Sequence, residues 1–175
     1  MNHYLTFKKI LLAAGLMSLV ACNASIKADG LNGKQREQGA ADYRSEAAAG
    51  MINGAGWVFL SGTARPQYND SSRLSLSLYN EDFTDPCSGF SYGRANVLTS
   101  VPARVGETVL GEMPDVHTVT FSYVNEDGSG GNMIAYDGRL AITEITAETV
   151  SGFIIAEYDR QSFINGSFKL KVCER

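Results

Sequence analysis

Alternation of apolar and polar side chains, with a period of two residues, is the feature that most constrains the fold of this chain. It is clearest in RLSLSLY at residues 73–79 and in HTVTFSY at residues 117–123. Successive side chains of an extended strand point to opposite faces, so each run has one apolar face and one polar face. The side chains predicted to face a core are Leu74, Leu76, Leu78, Val119, Phe121 and Tyr123. Strands of this half-buried kind are typical of antiparallel sheets.

Short segments rich in β-branched and aromatic residues continue the pattern along the chain. They predict further strands at residues 56–63, 91–98, 107–111, 131–136, 139–144, 149–157 and 166–173. Signals that favour positive φ or a tight reversal separate them, at residues 125–128, 137–138 and 165–166. We therefore expect an all-β fold, either an antiparallel β-sandwich or a small β-barrel of about eight or nine strands. Periodicity leaves this choice and the strand order open.

The start of the chain has a different character. The apolar run ILLAAGLMSLV at residues 10–20 follows Lys8 and Lys9. It is shorter than the roughly 20 apolar residues that span a bilayer, and it predicts a cleaved secretory signal peptide. The run LVAC at residues 19–22 resembles the lipobox of bacterial lipoproteins, in which a peptidase cuts before a cysteine whose sulfur carries a diacylglyceryl group. An ordinary signal peptide that contains a cysteine is the alternative.

The lipobox resemblance implies that residues 1–21 are removed and that Cys22 is the lipidated N-terminus. Two or more acyl chains such as palmitate on Cys22 would anchor the protein stably to a membrane. Asn23 follows, whereas an aspartate there retains Gram-negative lipoproteins at the inner membrane, so the resemblance implies the outer membrane of the cell envelope. Loss of Lys8 and Lys9 would make the net charge more negative than −4. We therefore expect no nucleic acid among the partners.

The composition of residues 22–50 differs from that of residues 51–175. The first segment is rich in glycine, alanine and charge and poor in large apolar residues, so it cannot bury enough surface to fold alone. We interpret it as the lipidated N-terminus followed by a flexible tether. Residues 51–175 form the predicted β-domain.

Cysteine usage agrees with export. With Cys22 lipidated, Cys87 and Cys173 remain, and the compartments outside the cytoplasm are oxidising. We predict a disulfide between them, which would stabilise the fold by about 4–5 kcal/mol in the chain-entropy model. A metal site is the competing interpretation of two cysteines, and nothing else in the sequence supports it.

A search for catalytic motifs finds little. His117 is the one histidine outside the predicted signal peptide, and a lone histidine within a strand pattern is usually structural. The chain has no G-x-S-x-G motif, no zinc-type cluster and no phosphate-binding glycine loop. We therefore predict no catalytic residue, no metal and no cofactor, and expect that the protein is not an enzyme.

Two acidic segments are candidate sites. NEDGSGGN at residues 125–132 has oxygen donors and glycines that suit a hard cation, but it lacks the EF-hand order, so a solvated hairpin loop is the better interpretation. Glu81, Asp82 and Asp85 form an acidic loop before Cys87. Paired carboxylates hydrolyse glycosides only at defined separations, and a solubilising loop is the default.

Scattered motifs add a second resemblance. They are MINGAGW at residues 51–57, DGRLAITEI at 137–145, TVSGF at 149–153 and INGSF at 164–168. Together they resemble a group of bacterial lipoprotein β-domains to which no activity is assigned. SGFSY at residues 88–92 also fits the S-G-x-x-Y pattern of lysozyme-inhibiting lipoproteins, although the second motif of that family is absent.

These observations leave three function classes. The first is a membrane-anchored, non-catalytic envelope lipoprotein that binds a protein or glycan partner or supports envelope structure. The second is a small-ligand carrier with an apolar cavity inside a barrel, and inhibition of a lysozyme-type enzyme is a weaker alternative. An enzyme comes third, because it would need a concave site that gathers acidic residues.

Overall fold

The computed structural model describes residues 42–88, 94–113 and 115–174. The predicted signal peptide, Cys22 and most of the predicted tether lie outside these residues, as do residues 89–92 of the SGFSY run. Within them, no helix is long and apolar enough to cross a membrane.

The described part of the chain is built from eleven strands. They are β1 (Ala49–Ile52), β2 (Ala55–Val58), β3 (Ser61–Pro66), β4 (Arg73–Tyr79), β5 (Ala95–Pro102), β6 (Gly106–Val109), β7 (Val119–Val124), β8 (Gly130–Ala135), β9 (Asp137–Ile145), β10 (Thr149–Asp159) and β11 (Ser162–Val172). The predicted all-β class is confirmed.

Nine strands form one curled sheet in the order β6-β9-β10-β11-β3-β4-β5-β7-β8, which makes a half-barrel. Neighbours pair in antiparallel fashion except β11 and β3, which pair in parallel at Lys171↔Thr63 and Val172↔Ala64. The sheet is therefore mixed, and the expectation of a wholly antiparallel sheet is wrong at this pairing. The parallel contact arises because the last strand returns beside a strand near the start of the domain, a long-range pairing with no local sequence signal.

The hairpin of β1 and β2 lies off this path. β1 pairs with residues 163–165 of β11, on the edge that β3 occupies further along the same strand. Trp57 of β2 is almost completely buried, and its Nε1 donates to the carbonyl of Ala95 at 3.0 Å. The hairpin thus completes the core beside the first half of β11, where β3 does not reach.

The core lies inside the curl of the sheet, as the period-two pattern predicts. Leu74, Leu76, Leu78, Val119 and Phe121 are buried, and Tyr123 packs against them while partly exposed. Tyr79 differs from expectation. The alternation places it on the polar face, yet it is buried and its ring meets Phe83 edge-on at 5.3 Å. Burial by a following loop segment overrides the alternation at the end of β4.

Some predicted strand limits are wrong. The strand expected at residues 56–63 is divided into β2 and β3, because the chain leaves the β1 hairpin and joins β4. The turns expected at residues 137–138 and 165–166 lie inside β9 and β11 instead. Both glycines do have the positive φ that these signals favour, Gly138 at 129° and Gly166 at 147°. Asn-Gly and Asp-Gly in these strands therefore mark close backbone contacts rather than reversals.

The disulfide between Cys87 and Cys173 is present, with the two Cα atoms 5.5 Å apart. It joins the loop after β4 to the residue that follows β11, which are 86 positions apart in the chain. Cys173 is buried, and its amide donates to the carbonyl of Ala64 at 3.0 Å. The predicted pairing of Cys87 with Cys173 is therefore confirmed, and the cross-link lies near the parallel pairing of the sheet.

Candidate functional site

Turns from separate hairpins meet at one end of the half-barrel, which we call the loop end. It comprises the β1–β2 turn (53–54), the end of the β4–β5 loop at Arg94, the β7–β8 hairpin (125–129) and the β10–β11 turn (160–161). Gly54 N donates to Gln161 O at 2.9 Å, and Asn53 Nδ2 donates to Asn125 Oδ1 at 3.5 Å. Val124 N donates to Arg94 O at 2.7 Å. These bonds join turns that are far apart in sequence into one surface.

The β7–β8 hairpin, predicted as a solvated loop, is closed by its own hydrogen bonds. Asn125 N donates to Ser129 O at 2.6 Å, and Ser129 N donates to Asp127 Oδ1 at 2.9 Å. The Ser129 hydroxyl and amide hydrogen bonds to Asp127 lower the pKa of that carboxyl. No group of three or more His, Cys, Asp or Glu side chains suited to a metal occurs in the part of the chain that the structure describes.

The acidic loop before Cys87 is also held in place, but its carboxylates are separated. Glu81 Oε1 accepts from Arg94 N at 3.1 Å. Asp85 forms an ion pair with Lys171 at 3.1 Å, and this hydrogen bond is the main cause of its lowered pKa. Asp82 is exposed. Glu81 and Asp85 therefore have different partners, and no described contact brings two of the three acids together as a catalytic pair.

His117 belongs to a polar group on the solvent-facing side of the sheet, which we call the outer wall. The sequence did not reveal this group. We call Gln67, Arg73, Ser100 and His117 the Arg73 cluster. Ser100 Oγ lies 2.7 Å from Gln67 Nε2 and 3.1 Å from Arg73 Nε, and Arg73 Nη2 lies 3.1 Å from His117 Nδ1. All four side chains are partly exposed. They come together because β4 and β5 are neighbours and because His117 bridges Leu110 just before β7.

Residues 42–48 form an N-terminal strap across the outer wall. The side chain of Asn165 holds the start of the strap. Its Oδ1 accepts from Arg44 N at 3.1 Å, and its Nδ2 donates to Asp42 O at 3.3 Å. Ser167 N donates to Glu46 O at 2.7 Å, and Ala48 is fully buried. Residues 42–50, which composition assigns to the tether, therefore pack on the β-domain. The reason is that backbone hydrogen bonds to β11, rather than large apolar side chains, hold them.

Tyr43 is the side chain that fixes the strap. Its hydroxyl donates to Glu107 Oε2 at 3.0 Å, its ring packs on Phe153 at 5.5 Å, and the Arg139 guanidinium lies 4.8 Å above the ring. Burial and the hydrogen bond to Glu107 raise the pKa of Tyr43 well above its ordinary value. Tyr43 is the only aromatic residue between Asn23 and Gly50, which is the signal that sequence inspection could have used.

Two grooves open on the wall. One of about 360 Å³ lies beside the strap and is lined by Phe59, Phe153 and Phe168 together with hydroxyl side chains. The other, of about 300 Å³, follows the β5–β6 turn from Pro102 through Arg104 to Glu107 and Thr108. Both are open to solvent. No family model, curated protein or solved structure matches the chain.

Proposed function

We propose that this protein is a lipid-anchored, non-catalytic lipoprotein of the bacterial envelope, whose β-domain binds a protein or glycan partner through the loop end. The observation that carries the binding role is the joining of turns from separate hairpins into one surface. Binding residues commonly lie on loops that a rigid sheet positions. The anchor would be the acylated Cys22, and the outer membrane would be its location.

The disulfide supports export. A bond between Cys87 and Cys173 persists in oxidising compartments and is rare in the cytosol. An exported chain with a lipobox-like segment ending at Cys22 fits a lipoprotein better than it fits a freely secreted protein.

The N-terminal strap supports an anchored orientation. Because Asp42 and Arg44 are bonded to Asn165, the chain enters the β-domain at a defined point on the outer wall. Residues 22–41 lie between that point and Cys22, and a chain of that length spans at most about 70 Å. The domain would therefore stay close to the membrane surface and meet partners there.

A small-ligand carrier is the second candidate. The open groove lined by Phe59, Phe153 and Phe168 favours it, because aromatic side chains beside hydroxyls suit an amphipathic ligand. The groove is open rather than enclosed, so we place the partner-binding role first.

In-cell crosslinking of the full lipidated protein, followed by identification of what is recovered with it, tests the binding role. Glu126→Arg and Arg160→Glu change exposed residues of the loop end, and Glu144→Arg is a matched control on β9. We expect one partner in near-equal amount with wild type and the control, and its loss with both loop-end variants. Recovery that is the same for all four proteins would contradict a role for the loop end.

The anchor is tested separately. Cys22→Ser should lose both the lipid and the association with membranes, because no thiol remains to be acylated. Fractionation of cells that produce the variant measures this, with the Cys87–Cys173 disulfide as a check that the domain is exported and folded. A variant that stays in the membrane fraction would overturn the lipoprotein assignment.

A further inference from the structure

Ser100, His117 and Arg73 of the Arg73 cluster carry hydrogen-bond donors that have no acceptor among the described residues. Ser100 Oγ receives two hydrogen bonds, from Gln67 Nε2 at 2.7 Å and from Arg73 Nε at 3.1 Å. A serine hydroxyl has two acceptor positions and one hydrogen, so both acceptor positions are filled and the hydrogen remains to be donated. No described residue accepts it. Ser100 therefore presents a donor toward the outside of the sheet.

His117 presents a second donor. Arg73 Nη2 lies 3.1 Å from His117 Nδ1, and a guanidinium can only donate. Nδ1 also lies 3.3 Å from the carbonyl oxygen of Ser100. The contact with Arg73 is shorter and requires an acceptor, so we assign the tautomer in which Nδ1 accepts and the ring hydrogen is on Nε2. The same Nη2 also donates to the carbonyl of Ser100 at 3.2 Å, which fixes the plane of the guanidinium. Nη1 of Arg73 has no acceptor among the described residues.

Arg73 also forms no ion pair with a described residue. Within residues 42–88, 94–113 and 115–174, no carboxylate lies at ion-pair distance from its guanidinium. Asp70 Oδ1 accepts hydrogen bonds from the hydroxyl and amide of Ser72, which are the main cause of its lowered pKa, and the charge of Arg73 helps to lower that pKa. A partly buried guanidinium fixed by three hydrogen bonds and lacking a counter-ion is arranged to receive an anion.

A groove on the outer wall next to this cluster is large enough for a ligand. Pro102 is the β5 residue opposite Arg73, and it begins the groove of about 300 Å³. Arg104, exposed and without an ion-pair partner in the described chain, also lines that groove. A ligand with one anionic group at Arg73 could therefore extend along the groove toward a second cation.

We propose that Arg73, Ser100 and His117 form a binding site for an oxyanion, the carboxylate or phosphate group of an envelope glycan or headgroup, with Arg104 at its rim. Arg73 supplies the charge and Nη1, Ser100 supplies its hydroxyl hydrogen, and His117 supplies Nε2–H. Gln67 holds Ser100 in position. The site lies at the start of β4, whereas the loop end lies beyond its last residue, so the proposal does not depend on the partner-binding surface.

The test is a titration of the full chain in nonionic detergent at low ionic strength, followed by NMR signals of the Arg73, Ser100 and His117 side chains. The probes are inorganic phosphate and glucuronate, with glucose as the uncharged control. We expect saturable shifts with at least one oxyanion and none with glucose. Tighter phosphate binding would assign a phosphate-bearing ligand, and tighter glucuronate binding a carboxylate. Equal shifts with glucose would overturn the proposal.

Variants decide which residues bind. Arg73→Gln should weaken binding by roughly tenfold or more, because it removes a charged hydrogen bond. Ser100→Ala removes the hydroxyl donor and should also weaken binding. Lys171→Gln changes an exposed cation that pairs with Asp85 outside the Arg73 cluster, and it should leave affinity unchanged. Trp57 fluorescence checks that each variant is folded. Unchanged affinity in both folded variants of the cluster, or a loss of affinity in Lys171→Gln, would contradict the site.

Discussion

Gly166 shows how one residue couples a strand to the segment that crosses it. It has φ of 147°, and a Cβ placed on it would lie 2.6 Å from Ala48 Cα and 2.7 Å from Glu46 O. Both neighbours are backbone atoms of the N-terminal strap, so neither can rotate away. The conformation and the contact both require glycine at this position.

We expect Gly166→Ala to destabilise the domain by about 2–3 kcal/mol, because it combines backbone strain with overpacking. Gly56→Ala is the matched control, since no atom lies within 4 Å of its Cβ position. Urea unfolding measures both variants. Equal stability of the two would show that the strap can move aside at little cost.

Tyr43 makes the stability of the domain sensitive to alkaline pH. Burial and the hydrogen bond to Glu107 raise its pKa above the ordinary value of 10.0. In the unfolded chain the phenol ionises near that value, whereas the folded protein keeps the proton, so the folded state binds more protons above it. The free energy of unfolding must then decrease as the pH rises beyond about 10.

Tyr43→Phe should reduce this decrease, because phenylalanine has no proton to retain. The comparison is the slope of unfolding free energy against pH in wild type, in Tyr43→Phe and in Tyr68→Phe. Tyr68 is 88% exposed. We expect the slope to become shallower in Tyr43→Phe alone. A slope that Tyr43→Phe leaves unchanged would mean that other groups cause the alkaline loss.

At the level of elements, the disulfide and the parallel pairing of β11 with β3 act at the same place. Cys173 follows β11 directly, and its amide continues the backbone bonding to β3 through Ala64. Only two residue pairs form the parallel contact. The covalent bond therefore holds the last strand where hydrogen bonding is sparse.

Reduction of the Cys87–Cys173 bond should lower the free energy of unfolding by about 4 kcal/mol, because the unfolded chain gains the entropy of an open loop. Urea unfolding with and without dithiothreitol measures this. The double variant Cys87→Ala/Cys173→Ala, which cannot form the bond, should be insensitive to the reductant and serves as the control. Wild-type stability that reductant leaves unchanged would contradict this role.

At the scale of the whole molecule, β1 and β2 belong to the same core as the nine-stranded sheet. Trp57, the only tryptophan of the chain, lies in that core with Leu76, Val97 and Phe121. A hairpin that shares its buried side chains with the sheet should not unfold alone. The single tryptophan therefore reports on the stability of the entire domain.

We expect the fluorescence of Trp57 and the far-ultraviolet circular dichroism of the strands to change in one coincident urea transition. Trp57 fluorescence reports on the hairpin, and dichroism reports on all strands. The reduced protein serves as the comparison, with both signals shifted together to lower urea. A fluorescence transition that precedes the dichroism transition would show that the hairpin is an independent unit.

The local pattern was enough to predict much of the fold. Residues 73–79 form β4 with the predicted limits, because a period of two gives each side chain a face before any partner strand is known. The all-β class follows from the same rule. The disulfide could be predicted from the reactivity and the number of the cysteines, since only two remain once Cys22 is assigned to lipid.

Contacts between distant segments were decided by the tertiary structure alone. The sequence places residues 42–50 in a tether and residues 165–166 in a turn. In the structure, residues 42–50 pack on β11, which contains residues 165–166. The contacts are backbone hydrogen bonds, which leave no hydrophobic pattern in the sequence. The Arg73 cluster is likewise invisible in sequence, because Gln67, Ser100 and His117 become neighbours only through strand pairing. Local alternation encodes which face a side chain takes, whereas the residue across from it depends on how the whole sheet curls.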